Sequence, residues 1–201
     1  GLEDEPIAIL DLKRYAADID LMSDNPYLPE VAPETGKKVA IIGGGPMGLS
    51  AASFLRQQGH DVTLFEAMPK AGGMLRYGIP EYRLPKRILD AEIKLIEKMG
   101  VRILSNYKIG TDISFDKVRE EYDAVLLGIG AWVSTGTGCP GEDSKGVIGG
   151  IDFLRKIVRN EPIDLGKNVA IVLGSYGSGV SIAASETFNN AGLAALGVTC
   201  T

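Results

Sequence analysis

The segment VAIIGGGPMGLSAASFLRQQGHDVTLFEA, residues 39–67, decides the fold of this chain. Its first four residues are apolar and lead into three glycines, and a helix-length segment then runs from Pro46 to about Gln58. Gly59 ends that segment, and a second apolar run covers residues 62–65. The segment therefore predicts a strand, a tight turn, a helix and a second strand, which together form a βαβ unit with parallel strands.

The glycines of this turn follow the pattern G-x-G-x-x-G, at Gly43, Gly45 and Gly48. The first permits the sharp turn after the strand, the second lets a pyrophosphate approach the backbone, and the third lets the helix pack closely on the sheet. The start of the helix directs unpaired N–H groups and a positive dipole end toward the phosphates. Glu66 ends the second strand, at about the 20-residue distance expected of the acidic side chain that binds the adenosine ribose. The pattern predicts dinucleotide binding, and the alternative is a glycine turn that only packs the βαβ unit.

The composition is that of an ordinary globular protein and excludes several functional classes. A net charge of −5 gives no basic surface for nucleic acid, and no apolar run is long enough for a membrane span. Cys139 and Cys200 lack C-x-x-C or metal-ligand spacing. Isolated thiols in a reducing, cytoplasmic compartment are therefore favoured over a disulfide or redox pair. His60 is the only histidine and lies in the turn before the second strand, which argues against histidine catalysis and metal sites.

Outside the βαβ unit the chain carries further periodic segments and one long irregular loop. Residues 1–37 combine a short helical pattern with a proline-containing connector, either a packed N-terminal arm or an element that docks on a partner. The stretch 72–84 has many turn signals and no period, and covering a flat aromatic ring is one role for a loop of this length. Further helices are predicted over 85–99, 113–120 with Ser114 as N-cap, and 151–158, and further strands over 101–104, 124–129 and 168–173.

Two of these strands lead into glycines. The apolar run 124–129 is typical of a strand buried on both faces of a parallel sheet. The glycines at 128 and 130 allow a cofactor to approach its carboxyl end, and a plain turn is the alternative. The strand at 168–173 leads into a second glycine turn with the order G-x-x-G-x-G. Because this order departs from the usual pattern, nucleotide binding and a structural turn both stay open there.

The run GKKVAIIGGGPMGLSAASFLRQQGHDVTLFEAMPKAGGMLRYGIPEYRLPKRILDAEI, residues 36–93, resembles the FAD-binding part of the glutamate synthase small-subunit family of NAD(P)H-dependent flavoproteins. Related domains occur in dihydropyrimidine dehydrogenase, in electron-bifurcating ferredoxin:NADP oxidoreductase, and in iron–sulfur dehydrogenase and hydrogenase subunits. The resemblance extends over about residues 6–172. It is most specific in AGGMLRYGIPEYRLP, residues 71–85.

The resemblance implies a flavin-dependent oxidoreductase subunit or fragment that passes electrons from NAD(P)H through FAD to iron–sulfur partners in a larger complex. No side-chain acid or base is needed, because hydride transfer to a flavin requires position and electrostatics from the protein. By the same resemblance, Glu66 would hold the FAD ribose and Gly130 would line the ring pocket. The other residues implied at the cofactors are Gly43, Gly45, Pro46, Met47 and Gly48 at the FAD pyrophosphate, Gly73, Leu75 and Arg83 at the flavin, and Gly174 in the second fingerprint.

The predicted domain plan has three parts: an N-terminal helix and connector over 1–37, a Rossmann-like FAD-binding domain over 38–150, and the beginning of an NAD(P)H-binding domain over 151–201. The fold class is therefore α/β with a parallel sheet. The family's N-terminal cysteine-rich cluster domain and its C-terminal return segment do not occur in this sequence. The chain is accordingly expected to be a fragment that is stable only when assembled with further polypeptide.

One alternative function survives and another is excluded. A non-catalytic nucleotide-binding or docking module of a larger complex is the surviving alternative, favoured by the irregular second glycine turn. A thiol–disulfide reductase would need a cysteine pair beside the flavin, and no cysteine occurs between Gly43 and Gly130.

Overall fold

The computed structural model describes residues 7–136, 138, 140–165, 168–173 and 195–198. Every helix and strand predicted from the sequence is present in this part of the chain, and each begins and ends within a few residues of the predicted bounds. The helices are α1 (Ile9–Leu21), α2 (Pro46–Gln57), α3 (Met74–Tyr77), α4 (Lys86–Lys98), α5 (Phe115–Glu121) and α6 (Gly150–Val158), and the strands are β1 (Lys38–Ile42), β2 (Asp61–Glu66), β3 (Arg102–Ser105), β4 (Ala124–Leu127), β5 (Ala170–Leu173) and β6 (Ala195–Val198).

The described residues form two compact units. One contains the residues up to Gly72 together with Pro85–Ile129, and the other contains Gly73–Leu84 together with the residues from Gly130 onward. The chain thus crosses between the units three times, and neither unit is one continuous segment. The domain bounds at 38 and 150 stay a prediction.

The first unit is built on a four-stranded parallel sheet with the order β3-β2-β1-β4. This order, 3-2-1-4, is that of the first four strands of a doubly wound α/β sheet. The register places Ile41 beside Leu64 and Ile42 beside Phe65. The predicted α/β class with a Rossmann-like parallel sheet is confirmed.

The core of this unit lies along β1 and β2, where an unbroken apolar sequence is buried on both faces of the sheet. Ile41 and Leu64 share the face toward α2 and have no exposed surface. On the opposite face Phe65 packs with Val118 of α5 and contacts the rings of Tyr107 and Tyr122 at 5.5 and 5.9 Å between centroids. Helices on both faces are what a central parallel strand requires.

The prediction that the apolar run 124–129 is buried on both faces is wrong. It pairs with β1 alone among the described strands, and its side chains are exposed or half-buried. Leu127 is 55% exposed and Ile129 is 62% exposed. The strand also ends at 127, two residues earlier than predicted. An apolar sequence marks a strand that could be buried, but its position at the edge of this sheet leaves much of it open.

The N-terminal segment is a helix followed by a connector, as predicted, but α1 has no buried residue. Ile9, Leu10 and Leu12 are 60–80% exposed. The connector instead lies against the end of α2: Ala32 N–H donates to the Gln57 carbonyl at 2.9 Å, and Thr35 N–H donates to the Gly59 carbonyl at 3.0 Å. Packing within the described chain therefore involves the connector and not the helix.

Of two local features further along the chain, the sequence predicted the cap of α5 and did not predict the helix α3. Ser114 is the N-cap of α5, as predicted, and its Oγ accepts a hydrogen bond from Lys117 N–H at 3.2 Å. The stretch 72–84 is not irregular throughout, because Met74–Tyr77 forms the one-turn helix α3. A helix of four residues between glycines leaves no periodic signal in a sequence.

In the second unit, β5 and β6 form a parallel pair in which Ala170 is the partner of Ala195. A parallel pair is the expected beginning of a further α/β unit. The predicted second glycine turn, with Gly174, Gly177 and Gly179, lies outside the described residues. No helix in the described part of the chain is long and apolar enough to cross a membrane.

Candidate dinucleotide site

The glycine turn leaves the carboxyl end of β1 at the point where the strand order reverses between β1 and β4. Ligands of open α/β sheets bind at such a point, beyond the carboxyl ends of the strands. Two backbone hydrogen bonds fix the turn: Gly43 N–H donates to the Phe65 carbonyl at 2.8 Å, and Gly128 N–H donates to the Ile42 carbonyl at 2.8 Å. The ends of β2, β1 and β4 are thereby joined at one edge.

Gly43 and Gly48 are required by the fold itself. Gly43 has φ +108°, and a Cβ there would overlap the Gly128 carbonyl oxygen. A Cβ on Gly48 would overlap the Gly43 carbonyl oxygen and stand 3.3 Å from Ile41 Cγ2. The predicted reasons for these glycines, a sharp turn and close helix packing, agree with this geometry.

Gly45 differs from these two glycines because its backbone is ordinary. It is the N-cap of α2, with φ −76° and ψ −175°, an extended conformation that any residue adopts. The backbone conformation therefore does not require glycine at this position. A phosphate bound at the start of α2 would require it, because a side chain on residue 45 would occupy the space of the phosphate. Pro46 and Met47, also predicted at the pyrophosphate, are the next two residues and are exposed.

The start of α2 has the donor groups that a pyrophosphate needs. No side chain caps this end, and Pro46 at the first position has no N–H to satisfy. The N–H groups of the first turn therefore lack an intrahelical partner, and the helix dipole favours negative charge at the same place. A dinucleotide phosphate fits this end of the helix on both grounds.

Glu66 lies at the end of β2, and its side chain turns into the glycine turn. It is only 4% exposed. One carboxylate oxygen accepts a hydrogen bond from Gly44 N–H at 2.8 Å, and the other accepts one from Met68 N–H at 2.7 Å. Each oxygen of a carboxylate can accept two hydrogen bonds, so acceptor capacity is left for ribose hydroxyls. Glu66 is thus held in place before any ligand is considered.

Gly44 is a residue of the glycine turn whose contact with Glu66 the sequence pattern missed. A Cβ at this position would stand 2.8 Å from Glu66 Oε2 and 3.0 Å from Ala71 Cβ. Its carbonyl also accepts a hydrogen bond from Gly72 N–H at 2.7 Å. Gly44 therefore brings the turn, the acidic residue and the start of the next loop together. The only sequence signal was that three glycines occur in succession.

The residues predicted at the flavin lie on or near α3 in the second unit. Gly73 is the N-cap of α3, is buried and has φ +50°. Leu75 is half-buried and Arg83 is exposed. Arg76 and Tyr77, which the sequence reading did not single out, are 5% and 4% exposed. A buried arginine inside a turn-rich stretch has no sequence pattern that would have identified it.

Gly130 lies just after β4, on the second unit, and has φ +68°. It is exposed. A Cβ built on it would stand 3.6 Å from Nε1 of Trp132. Gly174, the remaining predicted contact, lies outside the described residues.

The chemistry of this donor set fits a dinucleotide better than a metal ion. In the described residues, no group of three or more His, Cys, Asp or Glu side chains could hold a metal ion. Backbone N–H groups at a helix start, one buried carboxylate and a glycine with an ordinary backbone are the contacts expected for pyrophosphate and ribose. These features define a nucleotide-binding α/β domain of the Rossmann type.

The family follows from sequence comparison. The family model described as "Pyridine nucleotide-disulphide oxidoreductase" matches residues 37–197, and the chain belongs to this family. The chain is 42% identical to the NADP(+)-dependent formate dehydrogenase subunit beta of Moorella thermoacetica, covering 87% of this chain and 28% of that protein. It is 41% identical to the glutamate synthase [NADPH] small chain of Bacillus subtilis, covering 77% of this chain and 31% of that protein. The predicted resemblance to glutamate synthase small subunits is confirmed.

Solved structures give the same fold. FprA of Mycobacterium tuberculosis, in complex with NADPH, superposes on 76% of this chain with a TM-score of 0.61 and 26% sequence identity. The match covers 36% of the FprA chain. This chain therefore spans about a third of the length of these relatives.

Proposed function

We propose that this chain is the FAD-binding part of an NAD(P)H-dependent oxidoreductase, similar to the glutamate synthase small subunit, that passes electrons from NAD(P)H through FAD to an iron–sulfur partner. The observation that carries the proposal is the uncapped start of α2 beside the buried Glu66 carboxylate. One relative is named as an NADP(+)-dependent subunit, and the name of another carries the label NADPH. Both names support NAD(P)H as the electron donor.

The residues of this chain would divide the binding of FAD between them. The N–H groups at the start of α2 would hold the pyrophosphate, with Gly45 leaving room for it. Glu66 would accept hydrogen bonds from the ribose with the lone pairs that Gly44 and Met68 leave unused. FAD, when bound, supplies the redox chemistry, and the protein supplies position and electrostatics. Gly73, Leu75, Arg83 and Gly130 are proposed at the flavin, and Gly174 at the second nucleotide.

A second candidate is a non-catalytic nucleotide-binding module of a larger complex. Every residue of α1 is exposed or half-buried. A helix without a packed face in this chain favours a chain that works within an assembly. The two candidates differ in one measurable property. A catalytic module transfers electrons from NADH or NADPH to bound FAD, and a binding module holds the nucleotide without reduction.

The test of FAD binding uses Gly45→Val in the intact polypeptide that carries this sequence. Valine accepts the extended backbone of Gly45, so folding should survive, while its side chain fills the space proposed for the pyrophosphate. We expect FAD affinity to fall by about tenfold or more. A change of this size corresponds to the loss of at least one charged hydrogen bond. Ser50→Val adds the same side chain at an exposed position of the same helix and should leave affinity unchanged within about twofold.

The readouts are FAD content from visible absorbance, the dissociation constant from titration, and thermal unfolding without FAD. Unchanged FAD affinity in Gly45→Val would show that this turn does not bind the pyrophosphate. Anaerobic addition of NADH or NADPH then separates the two candidate functions, because bleaching of the flavin absorbance identifies the catalytic one. A chain that binds FAD and resists reduction by both nucleotides would be the binding module. A cytoplasmic location and an iron–sulfur partner are part of the same proposal.

A further inference from the structure

In the irregular segment after β4, half-buried and exposed side chains alternate. Trp132 and Ser134 are half-buried, while Ala131, Val133 and Thr135 are exposed. Val133 is 85% exposed. The half-buried positions of this segment are 132 and 134. This segment has no regular secondary structure, and its two half-buried side chains contact different helices of the second unit.

The indole of Trp132 contacts α3. Its ring lies 5.7 Å from the ring of Tyr77, at an interplanar angle of 57°. Tilted aromatic pairs at this distance are favourable beyond the area that they bury. The same indole lies on the side of Gly130 where a Cβ would project, with Nε1 3.6 Å and Cδ1 3.9 Å from that position. Trp132 therefore lies beside the Gly130 turn and packs on α3.

Ser134 makes the second attachment, to α6. Its Oγ donates to Asp152 Oδ2 at 2.8 Å, and Asp152 also pairs with Arg155. A Cβ on Gly149 would stand 2.6 Å from Ser134 Cβ, so the segment lies close against the start of α6. Residues 132–134 thus connect α3 and α6 through one aromatic contact and one charged hydrogen bond.

These contacts join two regions that the family resemblance places at the flavin. The stretch containing α3 is proposed to cover a flat ring, and Gly130 is proposed to allow close approach at the carboxyl end of β4. The contact between Trp132 and Tyr77 links the two regions physically. We propose that Trp132 is a positioning residue for FAD: it follows Gly130 by two residues and packs on Tyr77, and so holds the two regions assigned to the flavin in one arrangement. The proposal rests on the proposed function, since it assumes that FAD binds here.

The simpler interpretation is that the Trp132–Tyr77 pair only stabilises the fold. The two interpretations differ in what happens to the bound flavin. A packing role lowers the stability of the protein and leaves the flavin environment of the folded fraction unchanged. A positioning role changes the visible circular dichroism of bound FAD, because that signal reports the asymmetric surroundings of the ring.

The experiment compares W132A, W132F and V133A with the wild type, in the intact polypeptide, by FAD titration, visible circular dichroism and unfolding without FAD. For W132A we expect an affinity about tenfold lower and an altered dichroism spectrum, because the ring contact and its buried area are both lost. W132F keeps an aromatic ring against Tyr77 and should stay within about threefold of the wild type. V133A removes an exposed neighbouring side chain and should match the wild type within about twofold.

A double-mutant cycle tests whether Trp132 acts through Tyr77. In Y77L the aromatic partner is lost, so the further change W132A should cost less FAD affinity than it does in the wild type. Additive effects, or W132A with wild-type affinity and dichroism, would overturn the positioning role. If W132A does not fold, W132F and Y77L decide the question alone, since Y77L must then alter the dichroism while W132F preserves it. A wild-type protein that binds no FAD would instead overturn the proposed function, and this proposal with it.

Discussion

Strands β1 and β4 lie side by side and have similar sequences, KVAII and AVLL, but they are buried to very different degrees. β1 lies between two strands, and four of its five residues are buried. β4 pairs with β1 alone in the described part of the chain, and none of its four residues is buried. Burial of a strand therefore depends on its place in the strand order, which its own composition does not specify.

The same difference appears at the carboxyl ends of the two strands. The turn after β1 is closed by backbone contacts, with glycines where a Cβ would overlap a carbonyl oxygen. The segment after β4 is more open, and Ile129 and Gly130 are exposed. The turn after β1 leads directly into α2, whose first N–H groups lack intrahelical partners. In the segment after β4, Trp132 packs on Tyr77 of α3.

The largest expected effect comes from truncating the matched leucines of a central strand and the edge strand. Leu64 in β2 has no exposed surface, while Leu127 in β4 is 55% exposed. Leu64→Ala should lower the free energy of unfolding by about 2–5 kcal/mol, because it removes buried methyl groups and leaves a cavity. Leu127→Ala should cost below about 1 kcal/mol. Urea denaturation of both variants measures the difference, and equal costs would show that β4 is covered in solution.

A smaller effect concerns how the edge strand is attached at its amino end. Asp123 accepts a hydrogen bond from Lys38 N–H at 2.8 Å and one from Lys37 Nζ at 2.9 Å, which joins the starts of β4 and β1. These bonds, the backbone one first, hold the pKa of Asp123 below its ordinary value. A lowered pKa in the folded state means that the charged carboxylate stabilises the fold above the unfolded pKa of about 4, and that this is lost as pH falls through the folded pKa.

Asp123→Asn should therefore be less stable than the wild type at neutral pH, and the difference should shrink as pH falls below about 4. Lys37→Met is the matched variant, since it removes the side-chain partner and keeps the backbone donor of Lys38. Titration of the Asp123 carboxyl by NMR in Lys37→Met should still give a lowered pKa. A return to the ordinary value would show that Lys37, and not the Lys38 amide, is the main cause.

The sequence predicted the parts of the fold and site that depend on local order. The βαβ unit, the Ser114 cap and the placement of Glu66 beside the glycine turn all follow from residues within one or two elements of each other. Each has a short-range physical cause: periodicity, a capping hydroxyl, or the fixed length of a helix between two strands.

The parts that failed or were missed depend on contacts between distant segments. The edge position of β4 is set by the order of the whole sheet, and the role of Gly44 appears only once the Glu66 side chain turns toward it. Trp132 gave no signal, because one tryptophan in a loop has no period and its partner Tyr77 lies 55 positions earlier in the chain. The sequence therefore predicted the helices and strands, but it did not predict which loop residues contact each other in the folded chain.

The smallest expected effect lies in the most buried part of the sheet. Thr63 in β2 is 2% exposed, and its Oγ1 is the one buried side-chain oxygen or nitrogen without a hydrogen-bond partner in the described residues. At the edge of the sheet water would satisfy such a hydroxyl, but next to Ala40 in the central pair water is excluded. Thr63→Val replaces the hydroxyl by a methyl group of similar size and should raise the free energy of unfolding by about 1 kcal/mol. Thr111→Val makes the same change at an exposed turn and should stay within about 0.5 kcal/mol of the wild type. Urea denaturation measures the free energy of unfolding of both variants. A loss of stability in Thr63→Val would mean that the hydroxyl has a hydrogen-bond partner. The centre of the sheet would then contain water despite its burial.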